Sequence, residues 1–401
     1  MDLSRRNFFA GMGTASIAAS AWMLENRAFA QEGPKTAKSA AKANAVARIL
    51  FNENPLGPSP AALKVIAESG HVFNRYGMTD SLKLEMKLRA KVGLPTIEVS
   101  DTPALGPTQR PDSDTDLLMG IGSSEILRAA GWMCADLGAG KGNSVEANPS
   151  YDALTDDGSR KPGAKLTRKV IPLDKENNVD VQAMADAIDP QTKVVVICNP
   201  NNPTGAFVPK SGIEHIVSKA PEGCLVFIDE AYIEYLPDYE KQSALELAKT
   251  HPNVLVARTF SKVYGLAGLR MGYAIASKSV IAGLRPYMLG GIALNQAGLA
   301  AASAALNDAA HVKATRDLNA KVQAIWKAEL PKRGFKLTPS VAGFIWADVG
   351  EDCMGLVRSL QQRGVLISNG RRWNLPNYVR ISIGTENEVD RLMEGIKAYR
   401  A

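Results

Sequence analysis

The sequence predicts an α/β fold: a large domain built on a mostly parallel seven-stranded sheet, joined to a smaller α+β domain. Two observations lead there. From about residue 116, short Val/Ile/Leu-rich runs alternate with helix-like segments, and continuous apolar runs of that length mark strands covered on both faces by helices. Beyond Pro331 the alternation gives way to one helix-like run set among short strands. With 401 residues, the chain is long enough for a large domain plus a smaller one.

The strands are expected at Leu117–Ile121, Ser144–Ala147, Lys169–Pro172, Lys193–Cys198, Leu225–Asp229, Val254–Thr259 and Gly272–Ala276. Residues 292–330 are Ala-rich with apolar spacing, reading as one long helix or two in sequence, stopped at Pro331. The smaller domain is expected to hold a helix at Met354–Arg363 and strands at Phe344–Asp348 and Val379–Ile383. Domain limits follow: 48–74 as the N-terminal part of the small domain, 75–300 as the large one, 301–401 as the rest of the small one. Residues 94–116 hold four prolines and almost no apolar periodicity, and read as a solvated loop inserted before the first strand.

Upstream, Ser4-Arg5-Arg6-Asn7-Phe8-Phe9 precedes a weakly apolar stretch and the small-x-small site Ala28-Phe29-Ala30. That order resembles a twin-arginine export signal over residues 1–30, followed by an Ala/Lys-rich flexible linker over 31–47. The stretch is too short and polar for a comfortable membrane span. The expectation is export of a folded, cofactor-loaded protein to the periplasm by the twin-arginine machinery. The formal net charge of +6 is spread without a Lys/Arg block or an interleaved aromatic ladder, which argues against nucleic-acid binding. Cys134, Cys198, Cys224 and Cys353 are far apart and form no CxxC pair, so no metal site is expected.

Chemistry concentrates at the strand ends. Thr259-Phe260-Ser261-Lys262 is followed by a Gly-rich turn and Arg270. A lysine so placed suits a Schiff base with an aldehyde cofactor, while Thr259, Ser261 and Arg270 suit its phosphate. That combination points to pyridoxal phosphate. Gly122-Ser123-Ser124-Glu125 ends a strand and opens a helix, where backbone N–H groups and Ser124 can add to a phosphate site or simply cap the helix. Tyr151 can stack on a ring or serve packing. Asn202, in Asn199-Pro200-Asn201-Asn202-Pro203-Thr204-Gly205, can bond a ring oxygen, with Tyr232 beside it. Asp229 closes an apolar strand, a costly place for a carboxylate unless a cation such as a protonated pyridine nitrogen pairs with it. Arg380, inside the apolar run Tyr378–Ile383, needs an anion: a substrate's acidic group, or a structural carboxylate such as Glu386.

In order, Asn52-Glu53-Asn54-Pro55-Leu56-Gly57-Pro58, the Asn-Pro-Asn-Asn-Pro-Thr-Gly turn, Asp229-Glu230-Ala231-Tyr232 and the lysine segment resemble the class I/II aminotransferases of pyridoxal-phosphate fold type I, most closely the histidinol-phosphate aminotransferase branch. The resemblance runs over about 48–398. It implies that Lys262 is the Schiff-base lysine and proton shuttle, that Asp229 pairs with the pyridine nitrogen, and that Asn202 and Tyr232 bind the ring oxygen. It implies that Tyr151 stacks on the ring and that Ser123, Ser124, Thr259, Ser261 and Arg270 form the phosphate cup. Asn54, Asn202, Arg380 and Arg371 are expected at the substrate. Tyr76 is expected to reach the neighbouring subunit's cofactor, implying a homodimer with shared sites. The implied reaction passes an amino group between an amino acid or amino-phosphate and a 2-oxo acid. Decarboxylation or elimination on the same scaffold, and a non-catalytic periplasmic cofactor- or ligand-binding protein, are the other readings. The chain departs from the branch at Ser368, where an arginine is usual, at Leu56, where a tyrosine is frequent, and at Ser124, where the usual motif has aspartate.

Overall fold

The computed structural model describes residues 46–99 and 116–400. The chain divides into two units, Met1–Ala47 and Arg48–Ala401, and the second carries the sheets and the site. The expected signal peptide, residues 31–45 of the expected linker, and 100–115 of the expected insertion lie outside the described residues.

Seven strands form the main sheet: β1 (Leu117–Ile121), β2 (Asn143–Asn148), β3 (Thr167–Pro172), β4 (Thr192–Cys198), β5 (Leu225–Asp229), β6 (Val254–Thr259) and β7 (Met271–Ala276). Their spatial order is β1-β7-β6-β5-β4-β2-β3. Pairing is parallel from β3 across to β6, and β7 alone runs antiparallel, between β6 and β1. The observed strands match the apolar runs to within two residues at each end. Every residue of β5, β6 and β7 is buried, as expected of strands covered on both faces. β3, at the edge, is Thr-Arg-Lys at its start and largely open, which discourages pairing with another chain's strand.

The 292–330 segment resolves into two helices, Gln296–Ala305 and Ala309–Glu329. Side-chain caps decide the break: Asn295 Oδ1 accepts from Gly298 N at 2.6 Å and Asp308 Oδ1 from His311 N at 3.0 Å. Each cap satisfies an otherwise unpaired first-turn donor.

A second, four-stranded antiparallel sheet consists of β8 (Lys336–Thr338), β9 (Phe344–Asp348), β10 (Ser368–Asn369) and β11 (Tyr378–Ser382), in the order β10-β11-β9-β8. Helices Met354–Gln362 and Glu386–Arg400 accompany it. Trp346 of β9 stacks on Tyr378 with ring centroids 4.9 Å apart and meets Trp373 edge-on. Residues 49–52 are tied to this sheet: Ile49 N donates to Leu366 O at 3.1 Å, and Ser382 N to Ile49 O at 3.0 Å. All four cysteines are buried, unpaired thiols.

Candidate active site

The carboxyl ends of β1, β2, β4, β5 and β6 lie on one edge of the main sheet, with the start of the antiparallel β7 beside them. Register puts Cys198 beside Asp229, Asp229 beside Ala257, and Thr259 beside Gly272. Ligands in open α/β sheets bind at that edge, and the residues singled out by sequence gather there.

The phosphate cup is built. Helix Gly122–Gly138 starts directly from β1, so Ser123 and Ser124 sit in its first turn. Arg270 adopts a left-handed backbone, φ 55°, which turns its guanidinium back: Nη1 lies 3.4 Å from Ser261 Oγ and Nη2 3.4 Å from Ser124 Oγ. Thr259 Oγ1 donates to Ser261 Oγ at 2.9 Å. Gly122 has φ 68°, a left-handed backbone that favours glycine, and a Cβ there would push on the Arg270 guanidinium. The result is a ring of hydroxyls, an arginine and helix N–H groups that fits a phosphate.

Two buried charges face the site without protein counter-ions. Asp229 is 3% exposed; its Oδ1 accepts from Ala231 N at 3.1 Å, and among the described residues it forms no ion pair. Burial raises its pKa to about 6, opposed by the Ala231 N–H and by Lys262. Arg380 is likewise buried. Its Nη1 donates to Asn202 Oδ1 and its Nη2 to Leu50 O, both at 2.6 Å, and Nη2 also meets Ser368 Oγ at 3.1 Å. Its Nε is buried without a partner. Burial lowers its pKa to about 10. Glu386, the structural alternative, pairs with Lys321 instead. A buried carboxylate lacking a cation and a buried arginine lacking an anion fit a pyridinium-bearing cofactor and an acidic substrate.

Lys262 is half-buried, and its Nζ donates to Phe51 O at 3.1 Å. Burial first, then Arg380, lowers its pKa to about 8. Tyr232 is buried edge-on to Phe344, with ring centroids 5.0 Å apart. Asn52 Nδ2 donates to its hydroxyl at 3.0 Å, leaving the O–H free to donate. Asn202 spends its carbonyl on Arg380 and keeps its NH2 group free, so both residues present donors suited to a ring oxygen. Asn199 and Asn201, by contrast, are used within the turn, by Val208 and by Ser150, Pro149 and Thr204. Tyr151 follows β2, half-buried, and feels the charge of Asp229.

Two expectations change. Arg371 turns away to Asp352, because the tight turn at Arg371–Trp373 points successive side chains apart. Arg372 is the one at the site: it pairs with Asp152 at 3.2 Å and its charge reaches Arg380 and Tyr151. Asn54 is a brace, its amide committed to Val263 O at 2.8 Å, Thr315 Oγ1 at 2.9 Å and Leu56 N at 3.0 Å. Tyr76, expected at a neighbouring subunit's cofactor, is 74% exposed in the single chain. The sequence reading gave no role to Asn52, whose left-handed backbone (φ 55°) lets it bond both Ser382 and Tyr232. The Asn-Glu-Asn motif holds it, but nothing local marks it as the tyrosine's partner.

The family model "Aminotransferase class I and II" matches residues 49–396. The chain belongs to that family. It is 34% identical over 356 residues to a histidinol-phosphate aminotransferase of Brevibacillus brevis, covering 88% of this chain and 90% of the relative. It is 30% identical to the histidinol-phosphate aminotransferase of Moorella thermoacetica, covering 89% and 86%. Among solved structures it resembles histidinol-phosphate aminotransferase from Sinorhizobium meliloti in complex with pyridoxal-5'-phosphate, with a TM-score of 0.73, 25% identity, and 92% and 96% of the two chains covered. This aminotransferase is therefore a pyridoxal-phosphate-dependent transaminase of fold type I. When bound, pyridoxal phosphate supplies an aldehyde for covalent attachment and a ring that takes up the electron pair left as a substrate proton departs.

Proposed function

We propose that this aminotransferase is exported folded by the twin-arginine route to the periplasm, where it works as a homodimer on an amine that carries an acidic group, passing its amino group to a 2-oxo acid. Arg380 supports the substrate class: it is buried, has no carboxylate partner among the described residues, and is braced by Asn202, Leu50 O and Ser368. A buried arginine without a protein carboxylate is costly unless an anion meets it.

The chain's residues divide the work. The phosphate cup and Asp229 orient the cofactor, with Asp229 holding a proton on the ring nitrogen. Lys262 Nζ, already poised near neutrality, takes the proton from the substrate carbon and returns it elsewhere. Tyr232 and Asn202 donate to the ring oxygen, and Arg380 fixes the substrate so that one bond faces Lys262. At the rim, Arg372 is half-exposed and shares Asp152 with Arg168; it can turn to a distal anionic group without leaving Asp152 unpaired. Histidinol phosphate, the substrate in the relatives' names, is the first donor to test, and the arginine usual in that branch is here Ser368.

Exposure of Phe73, Tyr76, Met78, Leu289 and Ile292 supports the dimer. The order of Arg5-Arg6, apolar stretch and Ala28-Phe29-Ala30 supports export.

The test is a half-reaction screen. Mature holoenzyme is mixed with single amino donors and the cofactor's absorbance is followed. An acidic-group-bearing amine should bleach the aldehyde band, yield its 2-oxo product and release no CO2. Bleaching by no donor, or CO2 release with the donors that do bleach, would overturn the reading.

A further inference from the structure

A second pocket, separate from the cofactor edge, opens between the Ile233–Tyr235 turn, the Pro237–Lys241 segment and the first turns of helix Ala309–Glu329. Its volume is about 320 Å³, and neither Lys262, Asp229 nor Arg380 lines it. That size lies at the small end of ligand sites.

Its polar lining is not fully paired. Glu234 is 2% exposed, and its Oε2 has no hydrogen-bond partner. The neighbouring buried cation, Arg258, is already spent on Glu230 at 2.9 Å and on Ser243 at 2.8 Å. Burial accordingly raises the pKa of Glu234 to about 7. Arg316 donates its Nε to Glu234 O at 2.6 Å and packs against the Tyr239 ring, yet its Nη2 is also buried without a partner. Glu234 and Arg316 form no ion pair with each other. Unpartnered buried polar atoms are rare in folded proteins and ask for a cause. Here an acid and a base each keep an unpartnered atom at one cavity, walled by the rings of Tyr239 and Tyr264 and also lined by Lys91, Lys241, Asp238 and Glu240, three positive and three negative side chains in all.

We infer that this pocket binds a free zwitterionic amino acid, ammonium toward Glu234, carboxylate toward Arg316, side chain against the tyrosines. A plain anion would meet the carboxyl, and a plain cation the guanidinium. Only a ligand with both charges completes both groups at once. The placement gives the ligand a route to the catalytic edge: Glu234 lies two residues after Tyr232, and Tyr264 two residues after Lys262.

The test uses holoenzyme whose cofactor has been fixed to Lys262 by borohydride, which blocks covalent exchange with amino acids, and any binding left in Val312→Trp is assigned to the catalytic edge. Calorimetric titration with L-phenylalanine should show saturable binding, one per chain, below about 10 mM. Phenethylamine and 3-phenylpropanoate, each with one charge only, should bind at least roughly tenfold more weakly. Glu234→Gln and Arg316→Gln should each weaken L-phenylalanine binding by a similar factor. Val312→Trp, filling the cavity from its wall, should abolish it while the unreduced variant keeps wild-type transaminase turnover, which shows that it folds. Absence of saturable binding to the wild type, equal binding of the singly charged probes, or unchanged binding in all three variants would overturn the inference.

Discussion

Asp229→Asn separates the carboxylate's cost to the fold from its use to the cofactor. In the cofactor-free protein Asp229 is buried, accepts one backbone N–H and has no ion-pair partner among the described residues. Burial moves its pKa from the ordinary 3.8 to about 6. An acid whose pKa is raised by folding destabilises the folded chain wherever it is ionised in the unfolded one. The penalty is therefore absent well below 3.8, grows through the interval between the two values, and is full above about 6. That interval corresponds to about 3 kcal/mol at pH 8, with about half of it present at pH 5. Asparagine keeps the shape and the acceptor for Ala231 N but does not ionise. In thermal unfolding of the cofactor-free proteins, the midpoint of Asp229→Asn relative to wild type should rise by roughly 3 °C between pH 4 and pH 8 for a chain of this size. Reading the change with pH, not the offset at one pH, removes whatever the unpaired amide NH2 costs. Added pyridoxal phosphate should raise the wild-type midpoint more than the variant's, because only the carboxylate gains a cationic partner. Parallel pH profiles within about 1 °C would refute the assignment of Asp229 as an uncompensated buried charge.

The other predictions rest on single contacts. Lys262 has its pKa lowered to about 8, and only the neutral amine attacks an aldehyde, so the rate of cofactor uptake by the apoenzyme should climb with pH and level off just above 8; a climb continuing towards the ordinary 10.5, read by stopped-flow absorbance, would contradict it. Lys262→Ala should lower the transamination rate by roughly 100-fold or more while leaving phosphate-cup binding of the cofactor measurable by equilibrium dialysis. Arg380→Lys should lower kcat/KM for the acidic amino donor by roughly 30- to 150-fold, the equivalent of about 2–3 kcal/mol for a charged hydrogen-bonding contact; equal kinetics would place the acidic group elsewhere. Arg89 is buried and joins the two ends of the inserted segment by donating to Pro95 O and pairing with Asp116, so Arg89→Ala should cost roughly 3 kcal/mol in urea unfolding with little change in KM.

Much of the fold was legible because its signals are local. Buried parallel strands are continuous apolar runs, and three of them end at the site: Asp229 closes β5, Thr259 closes β6, and Ile121 closes β1 just before the serines. The lysine segment was legible for the same reason, since Thr259, Ser261, Lys262 and Arg270 lie within twelve residues. What stayed hidden depends on distant parts of the chain meeting. Asn52 reaches Tyr232 and Ser382, which lie 180 and 330 positions away. The choice between Arg371 and Arg372 was settled by Asp352 and Asp152, neither of which stands near either arginine in sequence. Glu386 was a fair local guess for Arg380, but as the first residue of its helix it pairs with Lys321 instead.

The same distinction explains why the reaction is readable and the substrate is not. Asp229 and Arg380 lie on different sheets, and each is a buried charge that the protein itself leaves unmatched. One calls for a cation on the cofactor ring, the other for an anion on the substrate, and together they define the chemistry shared by every amine that this site could process. Discrimination among such amines falls to groups with weaker commitments. Ser368 offers Arg380 a hydroxyl while donating its own proton to Leu50 O at 2.7 Å. Arg372 is held by an aspartate that keeps Arg168 when Arg372 leaves. Ser368 is a shorter side chain than the arginine usual in the branch, and Arg372 carries a positive charge beside Asp152. On the proposed function, a donor whose distal acidic group extends towards Arg372 is expected over one that holds it beside Ser368. Arg372→Gln should therefore raise KM for donors with a distal acid while sparing those with a single acidic group, and an equal effect on both would assign Arg372 to bracing the two sheets alone.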